Sequence, residues 1–110
     1  DLSANRTFSI PTPSAAGIMY RFIYGGAAED TDNHIIDTVT TDNSVYFKGC
    51  ITLVDTDGNS SVDYSNGSSN SKVTLTDTGD IDITFISFST TIWYVSGFST
   101  SADTAAFADQ

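Results

Sequence analysis

Hydrophobic and polar positions alternate along this chain over short stretches, and no segment of useful length repeats its apolar residues at helical spacing. Thr7 to Ile10 reads as a first strand, ended by Pro11-Thr12-Pro13, whose prolines cannot donate to a ladder and bend the chain. After the small-residue turn Ser14-Ala15-Ala16-Gly17, Ile18, Tyr20, Phe22 and Tyr24 fall on one face of a strand and Met19, Arg21 and Ile23 on the other. Only Arg21 is charged, so both faces of this strand are expected to be covered. Gly25-Gly26 breaks it, and Ala27 to Asn33 is an acidic loop.

His34 to Val39 is a short strand, followed by a turn over Thr40 to Ser44. From Val45 to Val54, Val45, Phe47, Ile51 and Leu53 share one face, with Tyr46, Lys48, Cys50 and Thr52 opposite; Gly49 marks a bulge or a close backbone approach. A turn centred on Asp57-Gly58 leads to a weak strand, Ser61 to Tyr64. Ser65 to Ser71, rich in Ser, Asn and Gly, is expected to be a flexible, exposed loop tip. Lys72 to Thr76 alternates again, with Val73 and Leu75 inward.

The segment Ile81 to Gly97 carries two apolar runs, Ile81 to Phe88 and Ile92 to Val95, separated by Ser89, Thr90 and Thr91, and is predicted to be a β-hairpin. Ile81, Ile83 and Phe85 keep one phase while Ile86 and Phe88 keep the other, which calls for a bulge near Phe85 to Ile86 or burial on both faces. After Phe98 the periodicity is lost, and Ala105 to Ala108 suits a helical turn or an arm whose Phe107 docks on this subunit or the next. The pattern therefore predicts an all-β fold, an antiparallel β-sandwich or jelly roll of seven to eight short strands. It occupies residues 1–98, with 99–110 as a C-terminal arm or tail.

Composition narrows the function classes. The 110 residues fit one domain with one modest core. Four basic residues, Arg6, Arg21, Lys48 and Lys72, face fourteen acidic ones, for a net charge of −10. That balance repels phosphate backbones and anionic lipid, arguing against nucleic acid or membrane partners. The single cysteine, Cys50, excludes an intrachain disulfide and reads as a small core residue. Stability must then come from the core and from neighbouring subunits. No apolar stretch is long enough to span a bilayer, and Asp1-Leu-Ser-Ala-Asn5 lacks a signal-peptide layout. The absence of an initiating Met suits a processed product or a piece of a longer protein.

Side chains capable of chemistry are sparse. His34 lies near Asp30 and Asp32 in sequence, and Cys50 with His34 would be the only thiol–imidazole pair, yet Cys50 sits mid-strand with no cationic surroundings to activate it. Neither a strained nucleophile turn nor a phosphate-binding glycine loop is present, since Gly25-Gly26 and Gly97 belong to no such motif. Carboxylate pairs, Asp55 with Asp57 and Asp80 with Asp82, read as turn-forming and solubilising. Asp55-Thr-Asp57-Gly58-Asn59 alternates oxygen ligands, but as a calcium-binding loop its glycine comes early and Asn66 stands where a closing Glu belongs. No catalytic, cofactor-binding or metal-ligating residue is assigned, and a noncatalytic role is expected.

Two segments carry a resemblance. Thr7-Phe-Ser-Ile-Pro-Thr-Pro-Ser-Ala-Ala-Gly-Ile-Met-Tyr-Arg-Phe-Ile23, taken with Thr84-Phe-Ile-Ser-Phe-Ser-Thr-Thr-Ile-Trp-Tyr-Val-Ser-Gly97, resembles small β-rich structural modules of tailed-bacteriophage virions. The resemblance implies a decoration or cement protein on the outer capsid surface, or a domain of a head or tail fibre. Such modules bind the major capsid protein or other virion proteins, commonly as homotrimers, and need no cofactor. A second class, a carbohydrate- or receptor-binding domain of a fibre, would require Trp93, Tyr94 or Tyr64 to be exposed for stacking on sugar rings. The unbroken apolarity around Trp93 predicts a core anchor instead.

Overall fold

The computed structural model describes residues 4–26, 31–55, 58–101, 103 and 105–110. Among them are nine strands and no helix: β1 (Arg6–Ile10), β2 (Met19–Gly25), β3 (His34–Thr38), β4 (Tyr46–Asp55), β5 (Ser61–Tyr64), β6 (Lys72–Leu75), β7 (Asp80–Ser87), β8 (Ile92–Ser101) and β9 (Ala106–Ala108). They form a four-stranded sheet in the order β1-β3-β6-β9 and a five-stranded sheet in the order β2-β7-β8-β4-β5. The all-β sandwich expected from the alternation is what the chain adopts. Two pairings, β1 with β3 and β4 with β8, are parallel.

The core lies between the sheets. From the four-stranded sheet come Ile10, Ile36, Val73 and Leu75; from the other come Phe47, Ile51, Ile81, Ile83, Phe85, Trp93 and Val95. Phe47 and Phe85 stack at the centre with ring centroids 5.1 Å apart. Trp93 is fully buried, and its indole N–H donates to the Pro11 carbonyl at 3.2 Å, tying the proline bend to the core.

The hairpin β7-β8 closes where Ser89, Thr90 and Thr91 predict a turn, with the Phe88 N–H bonded to the Ile92 carbonyl at 2.9 Å. Its register is continuous from Ile81 opposite Ser99 to Ser87 opposite Trp93, so no bulge reconciles the two apolar phases. Ile81, Ile83 and Phe85 point inward, while Ile86 and Phe88 stand exposed on the outside. The same holds for β2, where Met19 and Ile23 are exposed rather than covered.

Gly49 serves a close approach. With φ at +105°, a Cβ there would overlap the Val95 carbonyl of β8, and on β8 itself a Cβ at Gly97 (φ +142°) would overlap the Asp82 carbonyl of β7. These two glycines let three neighbouring strands come together at the middle of the sheet.

Beyond Phe98, where periodicity lapses, β8 continues to Ser101. Ala106–Ala108 is a strand, not a helical turn, because its backbone pairs with β6, and Phe107 packs on Phe47 of the same subunit. The Ser65 to Ser71 segment is also more tightly held than its composition suggests. The Asn66 side-chain oxygen accepts from the N–H groups of Ser68, Ser69 and Asn70, and the Asn70 carbonyl accepts from Phe47 N–H at 2.7 Å. Ser71 is fully buried.

Candidate functional site

The side chains considered for chemistry are kept apart. Cys50 is half-buried on the outer face of β4 opposite Tyr64, not in the core, because its neighbours Gly49 and Ile51 face inward. His34 is buried on the inner face of the other sheet, so the two lie on opposite sides of the five-stranded sheet. The His34 Nδ1 is 2.9 Å from the Thr78 hydroxyl and its ring lies 4.5 Å from that of Tyr24. Asp32 is half-buried, whereas Asp30 and Asp57 fall outside the described residues. Among the described residues no group of three or more His, Cys, Asp or Glu side chains is placed to hold a metal ion.

Asp80 and Asp82 project from the same face of β7, but Asp82 is committed to Arg21 of β2 in a bidentate pair, with contacts of 2.8 and 2.6 Å. The guanidinium holds the Asp82 carboxyl below the ordinary range, through its hydrogen bonds first and its charge second, against partial desolvation. Asp63 points inward from β5, and burial raises its carboxyl above the ordinary range despite a hydrogen bond from the Ala105 N–H. One of its oxygens has no partner.

Two surfaces stand out instead. The first is the exterior of the five-stranded sheet. Across it run Met19, Ile86 and Tyr94 in one row, then Ile23 and Phe98 in another flanking Asp82, with Phe88 at the hairpin end and Val62 and Tyr64 on β5. Ile23 is 69% exposed, Phe88 72% and Tyr64 71%. The charged groups on this face are Arg21 and Lys48 against Asp80 and Asp82, so it is balanced on a chain of net charge −10. The exterior of the four-stranded sheet is different in kind, carrying Thr7, Ser9, Asp37, Lys72, Thr74, Ala106 and Ala108, with Ile35 half-buried among them.

The second is the flank where edge strands β1 and β2 face each other. Phe8 contacts Phe22 across the sheets at 5.8 Å, yet Phe8 is 44% exposed and Tyr20 38%, although both point inward. A cleft of about 290 Å³ opens there, lined by Phe8, Phe22, Tyr24, His34, Ile36 and Ile81, with Arg21 and Ile23 at its rim. The opposite flank is sealed: Phe107 packs on Phe47, Ala105 is buried, and Asp109 accepts from Asn70 and Ser69 at 3.0 and 2.9 Å.

The spacing of residues gives no sign of the cleft, since Phe8, Phe22 and Tyr24 each look like core, and of its lining only His34 stands out for its chemistry. The split apolar phase of Ile81 to Phe88 was the signal for the exposed face. Of the three aromatic residues weighed for sugar stacking, Trp93 is fully buried, as the apolarity around it predicts, while Tyr64 and Tyr94 stand exposed on the outer face. Compared with family models, with curated proteins and with solved structures, the chain matches none.

Proposed function

We propose that this chain is a noncatalytic structural protein of a tailed-phage virion, which binds the capsid shell as a decoration or cement protein in a homo-oligomeric, preferentially trimeric, form. The observation that carries this reading is the apolar, charge-balanced exterior of the five-stranded sheet. Of the two segments that resemble virion modules, residues 7–10 lie in β1 of the other sheet, while the remaining strand residues fall in the adjacent strands β2, β7 and β8, whose outer side chains make up most of this face. Five strands about 4.8 Å apart and about seven residues long give the face an area of about 600 Å². Covered by a partner it would remove about 1,200 Å² from water in total, within the range of stable interfaces. The acidic loops outside the face keep the assembled copies soluble and spaced.

The test is sedimentation velocity on the purified chain, together with co-sedimentation with undecorated shells of the phage that encodes it. Saturable shell binding is expected, lost in Ile23→Lys and Phe88→Asp, both of which keep the parental melting temperature because the side chains are already in water. A strictly monomeric protein without affinity for shells overturns the reading.

A further inference from the structure

The open flank is also an open sheet edge. In the antiparallel ladder between β2 and β7, the pairs Gly26 with Gly79 and Ile18 with Ser87 are hydrogen-bonded, which fixes the alternation between them. Ile18, Tyr20, Phe22 and Tyr24 therefore direct their backbone groups to β7. Met19, Arg21, Ile23 and Gly25 direct theirs away from the sheet, and among the described residues nothing bonds them. The same reasoning on β1 leaves Thr7 and Ser9 free, because Arg6 and Ile10 bond β3. An edge of this length, without proline or bulge and uncovered by any of the described residues, is a template for another strand. The cleft lies directly beside it, between the edge and β1.

We propose that β2 accepts an extended segment of another protein as a sixth strand of the five-stranded sheet, and that the segment's alternate apolar side chains fill the cleft over Phe8, Phe22 and Ile36. An added strand meets both needs of the site at once. Its backbone satisfies the four free donors and four free acceptors, and its side chains two residues apart project to one face, into the space between the sheets. At about 290 Å³ the cleft is at the lower limit of small-molecule sites but suits a pair of aliphatic side chains. A second copy of β2 would not fill it. Its inward residues are already packed in their own sandwich, Tyr20 on Trp93 at 5.5 Å and Phe22 on Phe85 at 5.7 Å, and would bring no side chain to the cleft. This inference goes beyond shell binding by the outer face and stands or falls separately from it.

The probe is an acetylated, amidated peptide, Lys-Thr-Val-Thr-Val-Thr-Val-Thr-Lys, titrated into the isotopically labelled chain by NMR. Saturable binding is expected, with hydrogen-exchange protection gained at Met19, Arg21, Ile23 and Gly25. Two further peptides carry N-methyl groups on all Thr or on all Val positions. One of them binds at least about tenfold more weakly, because each lost backbone bond contributes to affinity, and which one reports whether the added strand runs antiparallel or parallel. A peptide with Ser in place of Val loses affinity by a similar factor. Ile23→Pro removes an edge donor that β7 does not use, and so weakens peptide binding by about two- to tenfold while the fold persists. The methylated peptides decide the matter even if that variant fails to fold. Absence of saturable binding at millimolar peptide, equal binding by both methylated forms, or protection confined to other strands overturns the proposal. Protection of the same four amides by dimerisation without peptide also overturns it, since the occupant would then be a second copy.

Discussion

Replacing Gly97 or Gly49 by Ala isolates the effect of backbone crowding at the centre of the five-stranded sheet. At each position the new Cβ meets a carbonyl of the neighbouring strand, Asp82 for Gly97 and Val95 for Gly49, and neither carbonyl can swing away without breaking ladder bonds. The positive φ costs an L-residue about 1–2 kcal/mol. Forcing atoms into a packed region adds about 1–3 kcal/mol, for a total of about 2–5 kcal/mol. Against a total stability of about 5–15 kcal/mol this is a large fraction. At about 4 °C per kcal/mol for a domain of this size, the melting temperature falls by about 8–20 °C. Gly17→Ala is the control: φ is +88° but no atom lies within 4 Å of its Cβ, so only the conformational cost applies. Urea titrations should show reduced midpoints with unchanged slopes, and a clear order with Gly17→Ala losing least. If Gly97→Ala and Gly49→Ala unfold at the same urea concentration as Gly17→Ala, the close approach of the three strands is not what those glycines provide.

Asp63 and Asp82 give pH dependences of opposite sign. Because the folded Asp63 carboxyl titrates above its unfolded value near 3.8, the folded state holds the proton longer, and stability falls as pH rises from that value through the raised one. Asp63→Asn should flatten that fall in a melting-temperature series across the acid range. Asp82 titrates below 3.8 when folded, so its contribution is present above that value and disappears as pH drops through the lowered one; Asp82→Asn and Arg21→Met should each remove this acid-side loss. Asn66→Ala deprives three N–H groups of one shared acceptor and should cost about 1–2 kcal/mol, with faster amide exchange at Ser68, Ser69 and Asn70.

Alternation is a statement about faces, and at that level the chain is legible. The inward set on β4, the β7-β8 hairpin and the anchoring role of Trp93 all follow from residue spacing. What covers a face is another matter: Met19, Ile23, Ile86 and Phe88 read as buried because they are apolar, yet among the described residues they stand exposed. Partners are equally hidden, since spacing within β4 says nothing of β8 lying parallel beside it. β9 has no signal because Ala106–Ala108 becomes a strand only through its bonds to β6. The rigidity of Asn66 to Ser71 comes from side-chain oxygens replacing backbone partners, which composition alone scores as flexibility. The cleft at the open flank is invisible in the sequence for a similar reason. It arises from where two edge strands stop, while each residue that lines it is ordinary core.

The strand order also sets how the chain must fold. Only β4-β5 and β7-β8 join neighbours in sequence; β1 waits for β3, β2 for β7, β4 for β8, and the four-stranded sheet for β9 at Ala106–Ala108. Loops must close before these distant pairings stabilise anything, which places folding in the millisecond-to-second regime. During that interval the β7-β8 hairpin is the natural nucleus, and its exposed Ile86, Phe88 and Tyr94 are already displayed before the sandwich around them is complete. A chain that has formed this hairpin but not yet its distant pairings displays a sticky face, so a high concentration of folding chains favours aggregation unless a partner captures that face early.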